Sequence, residues 1–251
     1  MLLQQAIATG ALAITAEVTP PRGGDPRRTL EAAAALRGWV HAVNVTDGSR
    51  AVMRMSSIAV CRLLLEAGIE PVLQMACRDR NRIALQADLL GAHALGLRNL
   101  LCLTGDPVRA GDQPQARPVN ELESVRLLQL VRDLNAGQDP VAGSLPDGGT
   151  AFFAGAAADP QFINRVVPGA NIPQALIDRL AAAADPAAEG IAIAAEQVQQ
   201  YSAIAQGVHL MAIKAEERIP AILRQAGLEP SAGGSTQGEV AAQQLSQGLL
   251  L

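Results

Sequence analysis

Apolar positions along the chain fall into two alternating patterns. Short runs that are mostly apolar, without strict alternation, occur at ALAITAEV (11–18), HAVNVTD (41–47), EPVLQMAC (70–77), NLLCLTGD (99–106), TAFFAGAA (150–157) and GVHLMAI (207–213). Such runs are expected of parallel strands buried on both faces. Between them lie DPRRTLEAAAALRGW, RMSSIAVCRLLLEAG, DRNRIALQADLLGAHALG and NELESVRLLQLVRDLNAG, with apolar residues three and four apart, Asp or Asn near their starts and Gly near most of their ends. These features predict helices. Strand and helix in alternation, joined by right-handed crossovers, make a parallel sheet: a closed (β/α)8 barrel or an open doubly wound sheet.

Where the polar residues fall separates the two. Successive predicted strands end in Glu17 with Thr19, in Asn44 with Thr46 and Asp47, in Gln74, and in Thr104 with Asp106. A barrel brings all such ends to one face, where its active site lies. An open sheet places its ligand at a switch point, with a Gly-rich phosphate loop after the first strand. The segment after the first strand, PPRGGD, contains no G-x-G-x-x-G. The barrel is therefore predicted.

Composition narrows the partners. With 251 residues, 49% of them hydrophobic, the chain can bury a large core. A net charge of -4 and scattered Lys and Arg exclude nucleic acid as the main partner and favour a small molecule. Cys61, Cys77 and Cys102 lack metal-like spacing and read as reduced core residues of a cytoplasmic protein. His41, His93 and His209 lie on separate elements without ligand spacing, so no metal site is expected, and His209 is expected to make a core hydrogen bond. No run is long enough to span a membrane, and MLLQQAIATGALAITAEV lacks the basic start of a signal peptide.

The stretch AEVTPPRGGD ends an apolar run on one carboxylate, Glu17, and then breaks regular structure with two prolines and two glycines. A carboxyl group held rigidly at a strand end suits a general acid, provided burial raises its pKa toward neutrality. The alternative is an ordinary ion pair with a neighbour such as Arg22. Asp106 follows Gly105, which lets the backbone approach a ring system; the alternative is an Asp capping the next segment. Arg78, Asp79 and Arg80 suit a pyrophosphate or, equally, a solvated helix start with an Asp cap.

The segments AEVTPPRG, VNVTDGSR, VLQMACRDRNRIALQADLLGAHALGLRNLLCLTGDP and GVHLMAI together resemble the 5,10-methylenetetrahydrofolate reductase family of flavoproteins. The resemblance runs from about residue 12 to about 160 and again from about 164 to 228, and its most specific parts are the E-x-x-P-P turn and the CRDRN…LTGD block. It implies a TIM barrel over 1–228, followed by a tail at 229–251, that binds FAD non-covalently. It also implies hydride transfer from NAD(P)H through FAD to 5,10-methylenetetrahydrofolate, giving 5-methyltetrahydrofolate for methionine biosynthesis. By the same resemblance Glu17 matches the general acid that protonates N10, Asp106 a carboxylate beside flavin and folate, and Thr46 a flavin-contacting hydroxyl. Gln74 stands where some members have a flavin-contacting His. Thr46, Gln74 and Asp106, with Thr104, Gly105 and Arg78, form the expected cofactor-binding set, and Glu17 and Asp106 the expected catalytic pair.

The third quarter departs from the family. About fifty residues around the sixth and seventh barrel strands are missing after FFAGAAADP, and only QFI and NRVVPG resemble pieces of that region. Two readings compete. In the favoured one, residues are omitted at Pro160–Gln161 and Ile163–Asn164, so the Cα separations there far exceed the about 3.8 Å of a trans peptide. In the other, a real deletion has removed folate contacts. The tail EPSAGGSTQGEVAAQQLSQGLLL reads as a linker and a short helix-like stretch that packs on the barrel or on a partner subunit, or stays disordered. A homo-oligomer is left open. Two other functions compete with this one: a non-catalytic barrel subunit without a working flavin site, and a hydrolase using Glu17 and Asp106 as its acid pair. The second is disfavoured because only 2% of the chain is aromatic.

Overall fold

The computed structural model describes residues 2–156, 174–202, 207–212 and 215–230. In chain order they form helix α1 (Leu2–Thr9), strand β1 (Ala13–Val18), α2 (Arg27–Ala35), β2 (Ala42–Val45), α3 (Ser57–Glu66), β3 (Pro71–Ala76), α4 (Arg82–Ala94), β4 (Asn99–Leu103) and α5 (Ser124–Asn135). A small hairpin, β5 (Gln138–Asp139) and β6 (Gly143–Ser144), precedes β7 (Phe153–Ala156), α6 (Gln174–Ala182), α7 (Pro186–Ser202), β8 (Gly207–Leu210) and α8 (Ile219–Gln225).

The six parallel strands are hydrogen-bonded in the order β7-β4-β3-β2-β1-β8. This order never reverses, and it brings the last strand against the first: Ala13 faces Gly207 and Ala16 faces Leu210 in parallel register. An open doubly wound sheet would reverse at a switch point. A cyclic order without reversal belongs to a (β/α)8 barrel. The fold is a partial barrel of this kind, and among the described residues no strand of this sheet stands between β7 and β8, where the sixth and seventh would lie.

The chain divides into two compact units, Met1–Glu17 with Glu31–Val43 and Pro160–Leu251, and Val18–Leu30 with Asn44–Asp159. In the second unit every residue of β3 is buried, and Leu73 and Met75 join Leu64 of α3, Leu85 and Leu89 of α4 and Leu127 of α5 in a core shut off from solvent. Each such side chain contributes roughly 1.5–3 kcal/mol. The start of α4 follows the predicted chemistry, the Asn81 side chain accepting from Ala84 N at 2.9 Å, whereas α5 is capped by Glu123, which accepts from the amides of Val125 and Arg126. After α4 the chain turns at Gly96 (φ +88°), which packs against Leu65. In the first unit Arg179 ties α6 to Glu189 and Glu196 of α7, and Arg224 lies 5.0 Å over the Trp39 ring.

Three local expectations change. Residues 2–9, read only for the absence of a signal, form a helix that ends at Gly10 (φ +72°). The fifth barrel strand begins at Phe153, because Thr150 is held outside it by a 2.6 Å hydrogen bond to Asn135 Oδ1. Thr46 and Asp47 leave the ladder of β2, and the Asp47 carboxylate takes over by accepting from Ala76 N at 2.9 Å. The junctions at Pro160–Gln161 and Ile163–Asn164 lie outside the described residues, as does the tail from 231 onward. Among the described residues no helix is long and apolar enough to cross a membrane.

All three cysteines are free and buried. Burial pushes the Cys61 thiol well up, Cys77 up to about 11 and Cys102 up to about 12. In the native protein these thiols hold their protons above the ordinary value of 9.0, whereas the unfolded chain releases them. Their contribution to stability is complete below pH 9 and is lost as pH rises toward the native values. Denaturation measured in steps across this range should show stability falling more steeply for the native chain than for a Cys77→Ala/Cys102→Ala variant. Equal slopes would contradict the burial effect.

Candidate active site

The loops after β2, β3 and β4 are stitched together by Arg78. Its side chain is buried, and it donates from Nε to Asp79 Oδ1 at 2.9 Å, from Nη2 to Asp79 Oδ2, and from Nη1 to the carbonyls of Gly48 and Asp106 at 3.2 and 3.4 Å. The Asp79 hydrogen bonds hold the guanidinium above its usual pKa. Two glycines make room for it. A Cβ at Gly48 (φ +55°) would stand 2.7 Å from Arg78 Nη2, and one at Gly105 (φ +94°) would stand 2.8 Å from Arg78 Cβ. The small size of Gly105, expected to admit a ring system, is already required by Arg78.

Arg80 turns the other way. Its Nη1 donates to Asp47 Oδ2 at 2.6 Å and its Nε to Asp88 Oδ2 at 2.8 Å. The expected Asp cap is absent here: Asn81 caps α4, and Asp79 pairs with Arg78.

Each polar strand end has a defined place. The Thr46 amide donates to Val18 O at 3.2 Å, while its hydroxyl is shielded from solvent without a hydrogen-bond partner. Gln74 is buried within β3, opposite Leu101, and its carbonyl accepts from Ser57 Oγ at 3.2 Å. Thr104 Oγ1 accepts from the Ser124 amide at 3.1 Å. Asp106 is exposed; its Oδ2 accepts from the Arg50 amide, and so holds Arg50 and Ala51 in left-handed conformations (φ 59° and 53°) that are costly for residues with a Cβ. Asp106 caps no helix; the short 3-10 turn Val108–Ala110 follows Pro107 without a side-chain cap bond.

The turn after β1 is held through its backbone. The carbonyls of Thr19, Pro20 and Pro21 accept from Thr29 Oγ1, Arg54 Nη1 and Met55 N at 3.1, 3.1 and 2.8 Å. Arg22, the neighbour offered as a partner for Glu17, pairs instead with Asp112 at 2.6 Å.

In the other unit, Glu17 occupies the carboxyl end of β1 with its side chain 19% exposed, and His209 Nε2 of β8 stands 3.9 Å from its Oε2. The opposite ring nitrogen, Nδ1, is hydrogen-bonded to Thr15 Oγ1 at 2.8 Å. His209 does make a side-chain hydrogen bond, but at an exposed position and not in the core. Thr15 and Glu17 are two residues apart on one strand and so share a face; the parallel register then sets His209 opposite Thr15. Neither strand alone signals this grouping.

A parallel barrel with carboxylates and hydroxyls at its strand ends is an enzyme architecture whose chemistry sits at that face. The family model of methylenetetrahydrofolate reductase matches the chain over residues 2–160 and 152–227. The chain belongs to the methylenetetrahydrofolate reductase family, a group of folate-related oxidoreductases of one-carbon metabolism. A search of curated proteins returns no match.

Gly105→Ala places a Cβ against Arg78 at a left-handed φ, and should lower stability by about 1–3 kcal/mol in urea denaturation. An unchanged midpoint would show that the loop yields without cost.

Proposed function

We propose that the chain reduces 5,10-methylenetetrahydrofolate to 5-methyltetrahydrofolate with NAD(P)H through bound FAD, in the cytoplasm and in service of methionine biosynthesis. The catalytic domain is taken as 1–228, with 229–251 as its tail. The observation that carries the reading is Glu17 at the carboxyl end of β1 with His209 and Thr15 beside it, in a chain of this family. FAD, when bound, supplies the hydride relay between nicotinamide and folate.

The residues present fit that cofactor. Thr46 offers a shielded hydroxyl with no partner of its own, which suits a ring carbonyl or a phosphate. Gln74 keeps the donor and acceptor capacity of the His that some relatives carry there. Thr104 retains its O–H while its oxygen receives Ser124, and Gly105, Asp106 and Arg78 complete the binding set.

Glu17 serves as general acid. The bridging methylene accepts hydride only as an iminium at N5, so the bond to N10 must break and N10 must take a proton. A protonated Glu17 donates it. His209, 3.9 Å away and part exposed, is placed to return a proton to the carboxylate, and its bond to Thr15 fixes the ring. Asp106, after β4, is the other carboxylate assigned a catalytic role.

Two measurements test this. The purified protein should show flavin absorbance that bleaches anaerobically with NADH or NADPH; a colourless protein that takes up no added FAD would favour the non-catalytic subunit. In Glu17→Gln, flavin reduction by nicotinamide should be nearly unchanged while folate reduction falls by about 10²- to 10⁴-fold, the usual worth of general acid catalysis. Stopped-flow traces slowed equally in both half-reactions would assign Glu17 to cofactor binding or folding.

A further inference from the structure

A cavity of ≈ 360 Å³ opens among the loops that follow β2, β3 and β4, and three arginines and two aspartates line it. Both carboxylates are already engaged: Asp47 by Arg80 at 2.6 Å, and Asp79 by Arg78. Arg54 is the remaining cation. Its Nη1 donates to Pro20 O, but its Nε–H is shielded from solvent with no acceptor, and no carboxylate pairs with it among the described residues. A shielded charged donor left unmatched is costly, and such groups normally have a partner. Ser56 lines the same cavity, and its hydroxyl makes no cap bond to α3.

The charge excess in this cavity is positive and sits on a guanidinium, whose planar fork matches phosphate oxygens. The volume lies near the lower end of the about 300–1,000 Å³ typical of ligand sites, which is room for a diphosphate and an attached sugar but not for a whole dinucleotide. We propose that this cavity is a diphosphate-binding subsite, in which Arg54 pairs with the anion and the Ser56 hydroxyl supplies a second donor. The anion site stands on the cavity alone; that the diphosphate belongs to a dinucleotide rests on the reductase reading above. FAD and NAD(P)H carry the same group and are told apart by experiment.

Inorganic pyrophosphate is the probe. Calorimetric titration should show it binding the full-length protein, and Arg54→Gln should weaken that binding about 10- to 100-fold, the range expected for a charge-assisted hydrogen bond. Thermal melting of the variant establishes that it is folded. If Arg54→Gln does not fold, Ser56→Ala and Arg54→Lys decide: both should bind pyrophosphate more weakly, the latter because an ammonium keeps the charge and loses the fork. If FAD is the source, pyrophosphate should weaken FAD binding and leave riboflavin binding unchanged; if NAD(P)H is the source, it should weaken the nicotinamide dinucleotide and leave FAD unaffected. No pyrophosphate binding, or binding that none of these substitutions alters, overturns the subsite. Flavin uptake with that negative result leaves the reductase reading standing. Arg54-dependent pyrophosphate binding without flavin uptake leaves the subsite standing and removes the reductase reading.

Discussion

A buried guanidinium has to find acceptors for its N–H groups inside the protein, and Arg78 finds them on three different loops. It pairs with Asp79 beside it and reaches the main-chain carbonyls of Gly48 after β2 and Asp106 after β4. Its bulk excludes a Cβ at Gly48 and at Gly105. The conformations of both loops, and with them the Asp106 contact that holds the left-handed pair Arg50 and Ala51, follow from accommodating this one side chain. Such a charge adds little net stability, because desolvation offsets the pairing. What it contributes is the position of the loop residues that it holds.

The group of Thr15, Glu17 and His209 is organised by register and not by a clamp. Thr15 and Glu17 lie on one face of β1, and β8 sets His209 opposite Thr15. A shift of one residue would send the imidazole to the other face of the sheet and remove it from Glu17. The same pairing joins the last strand to the first, so the feature that defines the barrel also assembles the proposed proton route. In the second unit the turn that follows β1 is held through its own backbone, the carbonyls of Thr19, Pro20 and Pro21 each accepting from a donor.

Charge in the loops of the second unit is mostly committed to structure. Of the Arg78, Asp79, Arg80 run, read as a phosphate site or a capped helix start, two members neutralise each other and the third is taken by Asp47 and Asp88. Asp112 likewise joins Arg22 to the Met53 amide. Against that background Arg54, with a shielded Nε–H and no carboxylate partner among the described residues, is the arginine of the loop cavity that carries no ion pair.

Much of the fold is legible in the sequence itself. The six apolar runs all contain strands, the four helical stretches between them all contain helices, and Asn81 and Gly96 mark the two ends of α4 as such residues commonly do. These features are local: burial on both faces of a strand, a 3.6-residue period, a side chain that caps the helix it begins. The sequence also marked Glu17, Thr46 and Asp106 as polar groups at strand ends, because a charge at the end of an apolar run is visible without knowing its neighbours. It did not show which acceptor each donor finds. That Arg22 meets Asp112, that Arg78 fills the space left by two glycines, and that His209 stands beside Glu17 are relations between residues tens to nearly two hundred positions apart. Only tertiary structure decides them, because a hydrogen bond or an excluded volume depends on distance in space, which the parallel register and the loop conformations set and the linear order does not.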